Sequence, residues 1–283
     1  MTVLLSPPVL GVAAAAALYW RGSKRRLRAV DSRRREVRRW RTAAFAGALA
    51  TVILALTGPV DRLADDLFWV HMLQHVLLVM VVAPLLVLAA PWHELWRPLP
   101  LGLRRGVAKP VARDRWAAPL RRAGAGLARP IPAWIAFNGN LLLWHWPPLY
   151  DLALRNEWVH DLEHLLFLAT AVLFWAQVWD SPPLRARLSP FGRVAYVTAA
   201  TVPSWLLAVT LAMASAPLYP AYADAASRPW GMSAMTDQEL AAGMMWGPGA
   251  IPFSVAVFVG IYLWLATEDE VAAPRRARLA GRR

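Results

Sequence analysis

Seven stretches of the chain are long and apolar enough to cross a lipid bilayer, and this feature restricts its fold more than any other. A membrane-spanning helix needs about 20 mostly apolar residues. The stretches cover residues 3–20, 42–60, 67–90, 131–146, 160–179, 191–217 and 243–267. Inside a bilayer, only helices and closed barrels satisfy every backbone polar group. We therefore predict an all-α polytopic membrane protein, with residues 1–283 forming one integral membrane domain of seven transmembrane helices.

Composition supports this prediction. The 283 residues are 58% hydrophobic and 17% charged, with a mean hydropathy of +0.36. A soluble globular chain has roughly 45–50% apolar and about 25% charged residues. The 16 tryptophans are typical of membrane–water interfaces. The sequence has no cysteine, which excludes disulfides, thiolate metal sites and iron–sulfur clusters.

The basic residues predict the orientation of the helices. Of the 31 Lys and Arg residues, 28 fall in the segments 21–41, 97–129, 185–193 and 268–283. Seven crossings put all four segments on one side, which the positive-inside rule makes cytoplasmic. The N-terminus is then outside and the C-terminus cytoplasmic. No Lys or Arg precedes the first stretch, so we expect an uncleaved helix rather than a signal peptide.

This orientation also accounts for the formal net charge of +13. We expect residues 91–130 to form a basic cytoplasmic loop along anionic lipid headgroups, and residues 268–283 to form a basic cytoplasmic tail. The charge therefore indicates contact with membrane lipid and not with nucleic acid.

Five of the six histidines fall near the outer ends of the predicted helices. They are His71, His75, His145, His160 and His164. Four of them form two pairs spaced four residues apart, which places both side chains of a pair on one helix face. Ionisable residues within membrane helices are costly and usually face the bundle interior. We predict a metal or cofactor site near the outer face, with these five histidines as ligands.

Other polar and sulfur-containing side chains are candidates to support the site. They are Gln74, Asn138, Asn140, Glu163, Met244 and Met245. Amides and carboxylates orient ligating imidazoles, and thioethers suit Cu(I). The alternatives are that the methionines fill apolar gaps and that the asparagines bridge helices across Gly139. We expect Met72 to face lipid, and Gly247-Pro248-Gly249 to kink the seventh helix.

Three other functions remain open at this point. Residues 160–164 match H-x-x-E-H, a zinc-protease pattern that supplies two ligands and a general base. That pattern leaves the other three outer histidines without a role. Paired histidines from facing helices also ligate haem, as in a membrane redox protein. In an ion transporter, the outer histidines would form only the entrance.

Three segments resemble the CtaG-type cytochrome c oxidase assembly factors of bacteria. They are FWVHMLQH at 68–75, LWHWPPLYDLAL at 143–154 and HDLEHLLF at 160–167, and the similarity is strongest over residues 67–179. The resemblance implies a multi-pass protein of the bacterial inner (plasma) membrane that matures haem–copper oxidase through its copper centres. Oxidase subunits and an extracytoplasmic copper donor are the implied partners. The family histidines fall on the five named above.

These observations lead to one hypothesis. The protein is not an enzyme; it accepts Cu(I) outside the membrane and hands it to a nascent oxidase subunit by ligand exchange. Haem and zinc are the alternative cofactors. Because neutral imidazole is the form that binds metal, affinity should fall below about pH 6.

Overall fold

The computed structural model describes residues 6–24, 32–184, 186–223 and 228–280, and these residues form helices without a β-strand. The α-helices are α1 (Pro7–Lys24), α2 (Ser32–Leu56), α3 (Gly58–Asp66), α4 (Phe68–Val76), α5 (Ala83–Ala89), α6 (Trp92–Trp96), α7 (Leu101–Arg113), α8 (Ala118–Leu127), α9 (Pro130–Trp144), α10 (Pro147–Arg155), α11 (Glu157–Trp175), α12 (Pro190–Ala212), α13 (Pro220–Ala223), α14 (Ala234–Trp246) and α15 (Ala250–Ala280). The all-α prediction is confirmed. Parts of the predicted first span (3–5) and of the basic segments (25–31, Arg185, 281–283) lie outside the described residues.

Each of the seven predicted spans overlaps at least one helix of the described residues. Among the described residues, four helical segments are long and apolar enough to cross a membrane: Arg35–Leu56, Phe68–Ala89, Pro190–Ala212 and Ala234–Glu268. The other three stretches form α1, α9 and α11. Helix α9 has 15 residues, fewer than the about 20 of a usual span, and α11 opens with several polar residues. Seven crossings and their orientation therefore stay predictions.

The segment Phe68–Ala89 contains a π-helical turn, Leu77–Val82, between α4 and α5. The amide of Ala83 donates to the carbonyl of Leu78, five residues earlier. Pro84 follows and has no amide hydrogen to continue the α-helical pattern. Such turns occur frequently at functional sites, and this one begins two residues after His75.

The predicted kink in the last span is confirmed as a break. Helix α14 ends at Trp246, and α15 begins at Ala250 after Gly247-Pro248-Gly249. A side chain at Gly249 would collide with the carbonyl oxygen of Met245, so the tight turn requires glycine there. The break brings the end of α14 to the same cavity as the start of α15.

Residues 91–130 are largely helical, containing α6, α7 and α8. Helix α7 exposes Leu103 and Val107 together with Arg105. Apolar and basic side chains on one short helix are typical of a helix in the membrane interface. Contact of this segment with lipid headgroups stays a prediction.

Stacked aromatic side chains connect α9, α11, α12 and α15. Phe137 of α9 stacks on Phe174 of α11 with ring centroids 4.3 Å apart, and Phe174 stacks on Tyr196 of α12 at 4.8 Å. Trp175 stacks on Phe253 of α15 at 5.7 Å. These contacts fix the mutual positions of four helices, because burial of large rings contributes strongly to packing.

Candidate metal centre

The two helices that carry the paired histidines begin with differently built N-caps. Asn156 caps α11 locally, with its side-chain oxygen accepting from the amides of Trp158 and Val159 at 3.0 and 3.3 Å. Helix α4 follows Leu67, which has no side-chain acceptor. The cap of α4 is Asp237 of α14, which is distant in the sequence.

The carboxylate of Asp237 accepts from the first two amides of α4. The distances are 3.0 Å to the amide nitrogen of Phe68 and 2.9 Å to that of Trp69. A carboxylate at a helix N-terminus is also favoured by the helix dipole. Asp237 therefore anchors the turn that presents His71, two residues after Trp69.

Four of the five predicted histidines converge on one point. One ring nitrogen from each of His71, His75, His160 and His164 lies within 4.8 Å of the other three. Ring centroids are 5.1 Å apart between His71 and His160, and also between His75 and His164. A tetrahedral site with metal–nitrogen bonds of about 2.0–2.1 Å needs nitrogens roughly 3.4 Å apart. Side-chain rotations that shorten separations of up to 4.8 Å would bring these four to that spacing.

A tyrosine determines which nitrogen of His71 is free to bind metal. The hydroxyl of Tyr222 lies 2.8 Å from the carbonyl oxygen of Ala64 and 3.0 Å from Nδ1 of His71. Burial raises the pKa of Tyr222 well above its usual range, so the phenol keeps its proton. That proton goes to the carbonyl, which cannot donate. Nδ1 of His71 therefore donates to the phenol, and Nε2 keeps its lone pair.

That lone pair points into the cluster. Nε2 of His71 lies 3.0 Å from Nε2 of His75. Nε2 of His160 and Nε2 of His164 are buried and have no hydrogen-bond partner among the residues that the structure describes. Several buried nitrogens that lack partners at one place are the arrangement that a metal ion satisfies.

Glu163 places a carboxyl group beside the cluster. It is fully buried, and its Oε1 lies 3.7 Å from Nε2 of His75. Neither carboxylate oxygen has a hydrogen-bond partner among the described residues. An isolated buried carboxylate is costly, and a nearby cation offsets that cost. The cluster and Glu163 together therefore suit a cation.

The cluster approaches the surface at His160, which is half-buried. The exposed Asp65 lies close to it: burial raises the pKa of Asp65, and the neighbouring His160 lowers it. An acidic group at this position would attract cations toward the cluster.

Comparison with known proteins identifies the family. The family model described as cytochrome c oxidase caa3 assembly factor (Caa3_CtaG) matches residues 17–267. The chain belongs to this family. The resemblance inferred from the histidine segments is thereby confirmed over residues 17–267.

The chain is also similar to curated proteins of mycobacteria. The chain is 26% identical over 242 residues to the uncharacterized protein Mb0105 of Mycobacterium bovis, covering 85% of the chain and 36% of that protein. It is 24% identical over 238 residues to the uncharacterized protein ML1998 of Mycobacterium leprae, covering 83% and 35%. The chain thus spans about a third of the length of these relatives. No solved structure matches it significantly.

His145 lies outside the four-histidine cluster. Its Nδ1 lies 2.8 Å from the carbonyl oxygen of Leu141, and its Nε2 lies 3.4 Å from the sulfur of Met72. Met72 is 1% exposed, so the expectation that it faces lipid is wrong. This face of α4 packs against α14 and α10 instead.

The other candidate supporting residues have different positions. Asn138 donates to the carbonyl of Trp134, and Asn140 accepts from Nε1 of Trp144, so both bonds stay within α9 and reach no imidazole. A Cβ at Gly139 would meet nothing within 4 Å, so no close helix contact bridges them there.

Gln74 points away from the rings. It donates to the carbonyl of Ala55 at 2.8 Å and to Asp61 at 3.4 Å, which ties α4 to α2 and α3. Met245 is buried and lines a cavity shared with His75 and His145. Met244 packs beside that residue, in the cluster around Phe68.

Sequence reasoning missed three residues around the site: Tyr222, Asp237 and Met72. Tyr222 and Asp237 lie 151 and 169 residues from their partners in the chain. No local pattern links such distant positions. For Met72 a local signal of burial existed. Met72 directly follows His71 on α4, and the buried face of that helix is wide.

Proposed function

We propose that this assembly factor binds copper, as Cu(I), at the four-histidine cluster and passes it to a nascent subunit of cytochrome c oxidase. The observation that carries the proposal is the convergence of four ring nitrogens, two from α4 and two from α11, within 4.8 Å. Copper is the cargo in this scheme, bound and then released. The protein acts as a metal carrier rather than an enzyme, and an extracytoplasmic donor supplies the ion.

The charge of the site favours a monovalent ion. Neutral imidazoles contribute no charge, and the carboxylate of Glu163 contributes one negative charge when ionised. Cu(I) balances that charge, whereas Zn²⁺ or Cu²⁺ leaves a net positive charge in buried surroundings, which is costly. Imidazole is a suitable ligand for copper.

Transfer of Cu(I) is possible because the cluster has more donor atoms than the ion needs. Two or three imidazoles hold Cu(I) at one time, so a fourth can leave and a partner's ligand can enter. His160 is the half-buried member beside the exposed Asp65, and it is the ligand we expect to exchange first. We infer from the basic segments that this end of the bundle faces outward from the bacterial plasma membrane.

The alternative functions fit less well. The cavity beside His75 has a volume of about 50 Å³, and pockets for organic ligands usually exceed roughly 300 Å³, which argues against haem. The same cavity is mainly apolar, unlike an ion-conducting path. A protease must admit a peptide to its metal, whereas His71, His75 and Glu163 are all buried.

The test is metal analysis of the full chain purified in detergent, combined with an oxidase maturation assay. We expect the wild-type chain to retain copper, and the double variant His71→Ala/His160→Ala to lose it and to leave the oxidase without copper. His93→Ala is the matched control, because His93 lies outside the cluster.

Optical and peptidase measurements separate the rivals. A Soret band in the purified protein would favour haem. Glu163→Gln should abolish activity in a protease, whereas a copper carrier should retain part of its function. A double variant that still matures the oxidase would contradict the proposal.

A further inference from the structure

We propose that Met72 and His145 form a second site for a soft monovalent metal ion, distinct from the four-histidine cluster. The proposal rests on the proposed function for the identity of the ion, Cu(I). Its geometry is independent of the cluster, because it comes from one thioether and one imidazole on α4 and at the end of α9.

The tautomer of His145 is fixed by its backbone contact. Nδ1 lies 2.8 Å from the carbonyl oxygen of Leu141, and a carbonyl can only accept a hydrogen bond. Nδ1 of the neutral ring therefore carries the proton, and Nε2 carries a lone pair. That lone pair faces the sulfur of Met72 at 3.4 Å, and a thioether has no proton to donate.

Two lone-pair atoms thus face each other in a buried position without a proton between them. Protonation of Nε2 would give an imidazolium, but His145 is 6% exposed, and the ion pairs of the described residues do not include it. A sulfur packed only for dispersion prefers the hydrogen-bearing edge of an aromatic ring. A cation between the two atoms removes their repulsion.

The separation agrees with coordination of one ion. Bonds of about 2.0 Å to imidazole nitrogen and about 2.3 Å to sulfur, at a tetrahedral angle, place the two donors roughly 3.5 Å apart. The observed distance is 3.4 Å. Sulfur and imidazole donors select soft ions such as Cu(I) over hard divalent ions.

The surroundings supply further donors and a connection to the cluster. Met72 and His145 line a cavity of about 50 Å³ together with Met80, Met245 and His75. His75 also belongs to the four-histidine cluster. An ion held by Met72 and His145 can therefore reach the cluster by exchanging ligands at His75, without entering water.

The experiment loads the full chain in detergent with Cu(I) under reducing, anaerobic conditions and measures X-ray absorption at the copper edge. We expect a copper–sulfur path at about 2.3 Å in the wild-type chain. Titration against a chromogenic Cu(I) chelator should give two equivalents. Met72→Leu should lose the sulfur path and one equivalent, and His145→Gln should do the same if Met72→Leu does not fold.

Two further variants complete the design. Met244→Leu is the matched control, because Met244 lies next to Met245 but does not line the cavity, and it should retain the sulfur path. His160→Ala/His164→Ala should lose the nitrogen-only equivalent and retain the sulfur path.

The outcomes separate this proposal from the proposed function. Copper bound by nitrogen alone in the wild-type chain overturns the second site and leaves the cluster standing. A sulfur path that persists unchanged in Met72→Leu also overturns it. The third outcome is that the wild-type chain shows the sulfur path and the double histidine variant loses no copper. That result supports the second site and overturns the cluster.

Discussion

The hydroxyl of Tyr222 lies 3.0 Å from Nδ1 of His71, a residue 151 positions earlier in the chain. Because the phenol gives its own proton to Ala64, it can only accept from the imidazole. One tyrosine on a four-residue helix, α13, thereby presents Nε2 of His71 to the cluster with its lone pair free. Partners of this kind orient ligating histidines in many metal sites.

Tyr222→Phe should therefore weaken metal binding while the fold persists. We expect Cu(I) affinity at the cluster to fall by about 10- to 100-fold, because the His71 ring loses its orienting partner. Chelator competition measures the change. Tyr196→Phe is the control, since Tyr196 is a buried tyrosine that packs with Phe137 and Phe174, and its hydroxyl has no hydrogen-bond partner in the described part of the chain. Equal affinities in the two variants would contradict the role of Tyr222.

Asp237→Ala should destabilise the protein by removing the remote cap of α4. Loss of an N-cap costs about 1–2 kcal/mol, and here two amides lose their acceptor together. Unfolding in detergent with increasing denaturant measures the difference. Ser233→Ala, which removes the local cap of α14 at an exposed position, should cost less. A smaller effect for Asp237→Ala than for Ser233→Ala would show that α4 does not depend on this contact.

Glu163→Gln should have opposite effects on the metal-free and copper-loaded protein. The amide has the same shape but no charge, so the metal-free variant avoids the cost of a buried carboxylate and should melt a few degrees higher. Its copper affinity should fall, because the balancing charge is gone. Thermal melting with and without Cu(I) tests both effects. Glu239→Gln, at an exposed position, should change neither.

Asp61 should contribute a pH-dependent term to stability. Burial and the nearby Asp65 raise the pKa of Asp61, although Gln74 and Arg62 lower it. The folded protein then holds this proton more tightly than the unfolded chain, so the free energy of unfolding falls as pH rises from about 4 through the raised pKa. Asp61→Asn should melt higher than wild type at about pH 7 and lose that advantage near pH 4. A constant difference between the two proteins across this range would refute the shift.

Much of the site could be predicted from short stretches of sequence. The i, i+4 spacing of His71 with His75, and of His160 with His164, fixes each pair on one helix face whatever surrounds it. Asn156 immediately before α11 is likewise a cap that acts within three residues. The break at Gly247-Pro248-Gly249 follows from the chemistry of those residues alone.

The choice of partners could not be predicted in this way. His145 has the same residue type and the same predicted depth as the other four histidines, but it faces Met72 instead of the cluster. The difference arises from the end of α9 and from how α4 packs, neither of which leaves a local signal. Asn138 and Asn140 form hydrogen bonds within their own helix, and no local signal predicted that choice of partners either.

The sequence by itself determined the all-helical class, the apolar segments and the two histidine pairs, because these depend on periodicity and capping over a few residues. Only the tertiary structure decided which histidines meet, that Tyr222 orients His71, and that Asp237 caps α4. The contacts of Tyr222 and Asp237 join residues more than 150 positions apart. Their existence depends on the packing of whole helices against one another, and packing is a property of surfaces that no single stretch of chain contains.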